Sequence, residues 1–177
     1  MVMMIRWLLR MVRFGAPAVV GHPLDTRFRV QVFDLDVLLH MTNGRYLSIL
    51  DAARISYYAR TGLWRQFRTL GWSPVVTAQT ITYRRSLRLG CRYRVRTVLM
   101  GTDEKNLYFE QTFHGAGVEY ATALVSVRLM ERSGASVRPR DVLALDATFA
   151  LPDHLPAAVA AWSEFSRHHD TRIARRP

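Results

Sequence analysis

The stretch that decides the fold reads Asp34-Leu-Asp-Val-Leu-Leu-His-Met-Thr-Asn-Gly-Arg-Tyr46. An alternating, β-rich segment at residues 26–33 precedes it, and a helical pattern follows it from Asn43. Two carboxylates, an imidazole, an amide and a phenol therefore lie at a predicted strand-to-helix junction. Because a helix N-terminus favours negative charge, this chemistry indicates either a reaction site or a well-capped helix.

The helical pattern continues to Gly62, where glycine predicts the end of the helix, and a shorter helix is expected at residues 63–70. Four segments rich in β-branched or alternating residues follow, and turn sequences separate them in the manner of an antiparallel meander. These predicted strands are residues 74–83, 92–100, 106–113 and 120–130, and short helices are predicted at 140–145 and 156–165. The order predicts an α+β fold in which a curved antiparallel sheet wraps around one long helix, with additional terminal helices.

Composition places the chain among globular proteins, since 49% of its 177 residues are hydrophobic and 22% are charged. The net charge of +11 comes almost entirely from arginine, because Lys105 is the sole lysine. Such a charge suits nucleic acid, membrane phosphates or anionic substrates equally well. No stacking-aromatic or helix-turn-helix motif accompanies the arginines, so we expect no nucleic-acid partner.

Cysteine and histidine usage bounds the chemistry further. Cys91 is the single cysteine, which excludes an intrachain disulfide and a thiolate metal cluster and fits a reducing, cytoplasmic compartment. The six histidines lack metal-ligand spacing beside carboxylates, so we expect no metal site.

The N-terminal residues 1–14 are apolar apart from three arginines at helical spacing. The segment is too short and too charged to span a bilayer, and it lacks a convincing signal-peptide cleavage site. It predicts either a helix in a membrane interface or a helix docked on the domain or a partner subunit. We divide the chain into an amphipathic segment and linker (1–23), a folded domain (24–150) and a C-terminal helix with a basic tail (151–177).

These blocks resemble the hotdog-fold thioesterases of the 4-hydroxybenzoyl-CoA thioesterase type, over residues 24 to 165. The family pattern Asp-x-Asp-x-x-Gly-His-x-x-Asn-x-x-Tyr is met by Asp34, Asp36, His40, Asn43 and Tyr46. Two further motifs resemble those of proteins similar to thioesterase superfamily member six: Asp-x-Ala-Arg at 51–54 and Arg-Arg-Ser-Leu-Arg at 84–88. The chain departs from the pattern at Leu39, where glycine is usual, and at Leu38, where acyl-ACP thioesterases carry a catalytic asparagine.

The resemblance implies hydrolysis of an acyl-CoA or acyl-ACP thioester, with coenzyme A present only as part of the substrate and no other cofactor. It assigns the catalytic carboxylate to Asp36, which would attack the thioester or activate water. His40 would orient Asp36 or the substrate, or would be a hydrogen-bonded buried ring. The oxyanion donor stays open between residues 69–80 and the start of the long helix.

The roles of the remaining motif residues, Asp34, Asn43 and Tyr46, are less specific. Asp34 is expected to be structural, paired with an arginine or a backbone N–H. Asn43 would cap the helix or touch substrate, and Tyr46 would pack in the core or touch substrate.

Charged residues beyond the junction are equally open. Arg84, Arg85 and Arg88 would attract the phosphates of coenzyme A or form a solvated sheet edge. Asp51 and Arg54 would form an ion pair within the helix or across subunits. His114 is expected to be exposed.

Three functions compete. The first is an acyl-CoA thioesterase that works as a homodimer or tetramer, with sites at the subunit interface. The second is a non-catalytic hotdog protein that binds acyl chains or organises partners at a membrane surface, which would make it membrane-associated through residues 1–14. The third is a dehydratase or hydratase with Asp36 and His40 as an acid–base pair.

Overall fold

The computed structural model describes residues 17–144 and 154–174. In this part of the chain one curved, antiparallel sheet carries six strands in the order β1-β3-β4-β5-β2, with the short β6 paired to the end of β5. The strands are β1 (Leu24–Arg29), β2 (Ser73–Tyr83), β3 (Arg92–Thr102), β4 (Leu107–Gly115), β5 (Val118–Met130) and β6 (Ser136–Val137). The helices are α1 (Asn43–Arg60), α2 (Leu63–Leu70), α3 (Pro139–Leu143) and α4 (Ala157–Ala174).

The long helix α1 packs on the middle of the sheet. The Tyr57 ring meets Phe109 of β4 edge-on at 5.7 Å, and the Tyr46 ring lies 5.0 Å from Phe113 of the same strand. The contacting residues of α1 and of β4 are buried and belong to one hydrophobic core. The predicted α+β arrangement, with a sheet around one long helix, is therefore confirmed, and so is α2 with Gly71 in the left-handed conformation at its end.

The first strand is shorter than the sequence predicted. It ends at Arg29, and a 3-10 turn at Val32–Asp34 replaces the expected continuation to Phe33. The cause is local, because the Asp34 carboxylate accepts a hydrogen bond from the Gln31 N–H at 2.8 Å and so closes a turn instead of extending a ladder.

The predicted meander is correct only for β3, β4 and β5. Strand β2 pairs with β5, from Ser73 opposite Met130 to Tyr83 opposite Ala121, and not with β3, which follows it in sequence. The segment between β2 and β3 therefore crosses the end of the sheet, and β1 and β2 become its two edges.

The C-terminal part extends further than predicted. Helix α4 continues past Phe165 to Ala174, so it takes in part of the expected tail. Its Trp162 ring meets Tyr108 of β4 at 6.2 Å, which fixes the helix to the sheet. Residues 1–14, the end of the predicted domain at 145–150 and the last residues of the tail lie outside the described residues, so the proposed domain boundaries stay predictions.

Candidate active site

Asp36 lies in the loop between the 3-10 turn and α1, and its side chain is exposed. One carboxylate oxygen, Oδ1, accepts the N–H groups of Leu38 at 2.9 Å and His40 at 3.1 Å. The Asp36 backbone closes the same loop, since its N–H donates to the His40 carbonyl at 2.8 Å. Within residues 17–144 and 154–174 no hydrogen bond or ion pair engages the second oxygen, so the carboxylate is oriented but still has one oxygen available.

The loop that Asp36 closes is apolar and exposed. Leu39 has φ +60°, a left-handed conformation that is uncommon for a branched side chain and natural for glycine. This explains why the family pattern has glycine at this position. Phe33 and Val37 are 95% and 96% exposed, and Leu38 and Leu39 are 70% and 68% exposed. Such a cluster of exposed apolar side chains around a carboxylate indicates an interaction surface.

Asp34 is structural, as the sequence predicted. Its side chain is 1% exposed and lies 2.5 Å from Arg45 Nε, but the two atoms fall outside hydrogen-bond geometry, so the contact is a charge pairing. The Asp34 carbonyl also accepts the Thr42 N–H at 3.0 Å. Asp34 thus ties the 3-10 turn to the start of α1 and fixes both ends of the Asp36 loop.

His40 orients Asp36 through its backbone and not through its ring. Its N–H reaches Asp36 Oδ1, and its backbone forms an isolated antiparallel bridge with Arg88. The half-buried imidazole makes no hydrogen bond to a residue in the described part of the chain. Asn43 does not cap α1, contrary to one of its two interpretations, because the Thr42 Oγ1 accepts the Arg45 N–H at 3.3 Å and Asn43 is the first helical residue.

Tyr46 is buried, and its hydroxyl oxygen accepts the Leu87 N–H at 3.3 Å. Its ring meets Tyr83 at 5.0 Å, and the Leu87 carbonyl in turn accepts the Met41 N–H at 3.0 Å. Burial raises the pKa of the Tyr46 phenol above its ordinary value of 10.0. These contacts hold the Asp36 loop against the connection from β2 to β3; direct substrate contact by Tyr46 stays a prediction.

The three arginines of that connection differ in their surroundings. Arg84 pairs with Glu119 at 2.6 Å, whereas Arg85 and Arg88 are exposed and form no ion pair with a carboxylate of the described residues. Arg88 is the nearest of the three in the fold to the loop, because its backbone pairs with that of His40.

Asp51 and Arg54 form an ion pair within α1, which confirms one of the two predicted arrangements. The buried polar network that continues from Arg54 was not predicted: Arg54 also donates to Gln111 Oε1 of β4 at 2.5 Å. Gln111 donates in turn to the Leu50 carbonyl at 3.0 Å and to Thr97 Oγ1 at 3.1 Å. The available signal was a lone amide on the inward face of β4, where its neighbours in alternation are phenylalanines.

His114 is half-buried, and the expectation that it would be exposed is wrong. Its Nε2 lies 3.2 Å from Asp25 Oδ1, across the outer face of the sheet.

No group of three His, Cys, Asp or Glu side chains able to hold a metal ion occurs among residues 17–144 and 154–174. Across the same residues, no helix combines the length and apolar content needed to cross a bilayer.

A curved antiparallel sheet packed on one long helix is the arrangement of the hotdog class of α+β proteins. The family model described as "Thioesterase-like superfamily" matches residues 30–163. The chain belongs to this thioesterase-like superfamily.

Individual relatives agree with this assignment. The chain is 42% identical over 95 residues to Protein THEM6 of Xenopus laevis, a match that covers 54% of this chain and 46% of that protein. The chain thus spans about half the length of the curated relatives it matches. The structure of YbaW, a probable thioesterase from Escherichia coli, superposes with a TM-score of 0.65 at 22% identity over 72% of this chain and 99% of that one. SAV2348 of Staphylococcus aureus, solved in complex with CoA, gives a TM-score of 0.62 at 16% identity over 81% and 96%.

Proposed function

We propose that this protein hydrolyses acyl-CoA thioesters to the free acid and coenzyme A, with Asp36 as the reacting carboxylate. The observation that carries the proposal is the state of that carboxylate in the loop before α1: one oxygen accepts two backbone N–H groups, and the other has no partner among the residues that the structure describes. Superfamily membership supports it, as does the likeness in fold to the gentisyl-coenzyme A thioesterase BH1999.

The reaction balances with Asp36 in either of two roles. As nucleophile, an Asp36 oxygen bonds to the thioester carbon, the C–S bond breaks, coenzyme A leaves as a thiolate and water hydrolyses the resulting mixed anhydride. As general base, Asp36 takes a proton from the water that attacks the same carbon. A thiolate is a good leaving group, so neither role demands a strong acid.

The oxyanion formed in either role requires an N–H donor, and the first turn of α1 supplies candidates. The first N–H groups of a helix have no intrahelical acceptor. Of these, Thr42 N–H is used by the Asp34 carbonyl and Arg45 N–H by Thr42, which leaves the N–H groups of Asn43 and Gly44. We assign the oxyanion donor to Asn43 or Gly44, where one donor contributes about 3 kcal/mol to transition-state stabilisation.

The other residues predicted for substrate binding have positional roles in this proposal. Arg85 and Arg88 draw the anionic substrate towards the Asp36 loop. The ring of His40 is available to contact the acyl group or the thioester, because the hydrogen bond from His40 to Asp36 is made by its backbone N–H.

The proposal also includes assembly as a homodimer. The edge strand β2 exposes Val75 and Val76, and in the described part of the chain no strand pairs with its outer backbone groups. The exposed apolar loop around Asp36 is not enclosed by its own protomer, and a second copy across β2 would exclude water from it. Sedimentation velocity tests this: Val75→Lys should yield monomer, whereas the equally exposed Val19→Lys should not change the assembly. A wild-type monomer at all concentrations would contradict it.

The experiment for the activity measures thiol release from a panel of aliphatic and aromatic acyl-CoA and acyl-ACP substrates. We expect turnover of at least one acyl-CoA. If Asp36 is the nucleophile, quenched single-turnover samples should show an acyl adduct on the peptide that contains Asp36. If Asp36 is the general base, they should show no adduct. Inertness of the folded protein on the whole panel would contradict the proposal.

One observation favours the second function, a hotdog protein at a membrane surface. The outer face of α2 exposes Trp64 with Arg65 and Arg68, and these residues line one recess with Pro17. Pro17 follows closely on residues 1–14, which are apolar and arginine-bearing by sequence. An interfacial tryptophan with arginines suits anionic lipid headgroups.

Flotation with anionic vesicles separates this function from the first. The full chain should float, and a chain without residues 1–14 or with Trp64→Ala should float less. Unchanged flotation of both variants, or none of the full chain, would remove the membrane role without affecting the proposed hydrolysis.

A further inference from the structure

The outer face of β1 and β3 carries an unusual row of arginines. Alternate residues of these strands, such as Phe28 and Tyr93, point into the core, so the residues between them point outward. The outward residues are Asp25, Arg27 and Arg29 on β1, and Arg92, Arg94 and Arg96 on β3.

The strand register sets like charges against each other on this face. Arg27 lies directly opposite Arg94, and Arg29 lies directly opposite Arg92. Side chains opposite each other in an antiparallel pair have Cβ atoms about 5 Å apart, and like charges at such positions destabilise the sheet. Two such pairs in succession therefore have a cost that a bound anion would remove.

The carboxylate of this face reaches only one arginine of these pairs, Arg94. Asp25 lies 3.2 Å from Arg96, 3.2 Å from His114 and 3.8 Å from Arg94. Burial alone would raise the Asp25 pKa, but hydrogen bonds from Arg96 and His114 outweigh it and hold the pKa below its ordinary value of 3.8. The Asp25 carboxylate is thus charged and already paired with Arg96 and His114 at one end of the face.

Three guanidinium groups are left over at the other end. Within the described residues, no carboxylate lies within 4 Å of Arg27, Arg29 or Arg92. Arg29 Nε donates to the Gly90 carbonyl at 3.3 Å, which points this side chain along the sheet end towards the connection that holds the Asp36 loop. The uncompensated charge is therefore concentrated on the side of the sheet nearest the candidate active site.

These arginines border a recess of about 800 Å³, which we call the arginine recess. Its walls are Arg27, Arg29, Arg92, Arg94, His114 and the turn Gly115–Gly117. That volume lies in the range of small-molecule sites, and planar guanidinium forks suit phosphate oxygens. The recess thus has the size and the charge for a nucleotide bearing several phosphate groups.

The arginine recess lies within reach of Asp36. Gln31 also lines it, and Gln31 precedes Asp36 by five residues, a separation that a fully extended chain spans in at most about 18 Å. The 3-10 turn between them shortens this distance further. The pantetheine arm of coenzyme A, which separates the thioester from the nucleotide phosphates, is of comparable extended length.

We propose that the arginine recess binds the phosphate groups of the nucleotide end of a coenzyme A thioester. The proposal rests on the proposed function and narrows it, since a carrier-protein thioester has no adenine nucleotide to place there. The arginines of the recess then select coenzyme A, while Asp36 performs the reaction.

The binding test uses adenosine 3′,5′-bisphosphate, which carries no thioester, in isothermal titration with the full chain. The double variant Arg27→Gln/Arg92→Gln removes one arginine from each strand. The matched control, Arg138→Gln/Arg140→Gln, removes two exposed arginines beside β6, at the opposite end of β5 from the recess turn. The recess variant should bind at least about tenfold more weakly, because two charge-assisted contacts are lost, and the control should bind as the wild type does.

The melting temperature at low salt shows independently whether the recess variant folds. It should be equal to or above that of the wild type, because the substitutions remove like charges that face each other. No binding to the wild type, or an equal loss in the control, would overturn the proposal. Loss in Arg85→Gln/Arg88→Gln with none in the recess variant would overturn it too, because the phosphates would then lie at the connection.

A kinetic arm keeps this proposal distinct from the proposed function. For the recess variant, kcat/KM should fall at least about tenfold with acyl-CoA and should be unchanged with the corresponding acyl-pantetheine, which lacks phosphates. An equal fall for both substrates would contradict a nucleotide site. Asp36→Asn should still bind adenosine 3′,5′-bisphosphate, so failure of hydrolysis and failure of nucleotide binding are separate results.

Discussion

Leu39 offers a quantitative test of the loop that presents Asp36. Its φ of +60° costs a non-glycine residue about 1–2 kcal/mol, and glycine would remove that strain. Two losses oppose the gain in Leu39→Gly: about 0.5–1 kcal/mol for the greater freedom of the unfolded chain, and about 0.5–1 kcal/mol for the third of the side chain that is buried. The net change in the free energy of unfolding should therefore be close to zero.

Leu38→Gly is the matched control, because Leu38 is 70% exposed against 68% for Leu39 and does not have a positive φ. It suffers both losses and gains nothing, so it should destabilise the protein by about 1–2 kcal/mol. The difference between the two variants isolates the strain, about 1–2 kcal/mol in favour of Leu39→Gly. Urea unfolding with a constant m-value measures it, and the melting temperatures should differ by about 2–8 °C. Equal destabilisation by both variants would refute the left-handed conformation at Leu39.

Two further predictions concern carboxylates. Asp34→Asn should destabilise the protein by about 3 kcal/mol, because the buried charge that faces Arg45 is removed. Glu119→Gln breaks an exposed pair and should change the free energy of unfolding by less than about 1 kcal/mol. Equal effects of the two variants in urea unfolding would contradict the structural role of Asp34. For Asp103, burial alone would raise the pKa, but the hydrogen bond from Tyr108 and neighbouring N–H groups outweigh it and lower the pKa below its ordinary value of 3.8. Its contribution to stability is therefore complete above about pH 4 and is lost as the pH falls through the lowered pKa. In Asp103→Asn, the free energy of unfolding should consequently fall less steeply below about pH 4 than in the wild type. An equally steep fall in both proteins would contradict this role of Asp103.

Local features of the fold could be predicted from the sequence because they follow from local physical chemistry. Gly62 and Gly71 mark the ends of α1 and α2 since each takes up a positive φ that most residues avoid. Alternation placed strands β3, β4 and β5 within two residues of their observed ends. Asp34 was expected to pair with an arginine or a backbone N–H, and it does both, with Arg45 and with the Gln31 N–H.

Features that depend on distant pairing could not be predicted in this way. Nothing in the sequence of β2 specifies that it pairs with β5, since that choice depends on how the whole sheet packs on α1. The arginines of β3 were visible as one face of an alternating strand, but their opposition to Arg27 and Arg29 needs the register with β1. The same holds for the Arg54 contact with Gln111, which joins residues far apart in sequence.

The candidate site divides along the same line. The sequence identified Asp36 and the neighbouring His40, but not that the His40 backbone, and not its ring, holds the carboxylate. It also offered Asn43 as the helix cap, whereas the geometry of α1 assigns the cap to Thr42, because threonine and asparagine can both cap a helix and the sequence does not fix which residue begins it.

The proposed hydrolysis depends on the Asp36 carboxylate, and the rate of thiol release by Asp36→Asn measures that dependence. With the best acyl-CoA of the panel, kcat should fall at least about 100-fold relative to the wild type, while Asp141→Asn, an exposed carboxylate outside the loop, should retain the wild-type rate. Urea unfolding of both variants confirms that they fold. A folded Asp36→Asn variant that turns over acyl-CoA at the wild-type rate would exclude Asp36 as the reacting carboxylate.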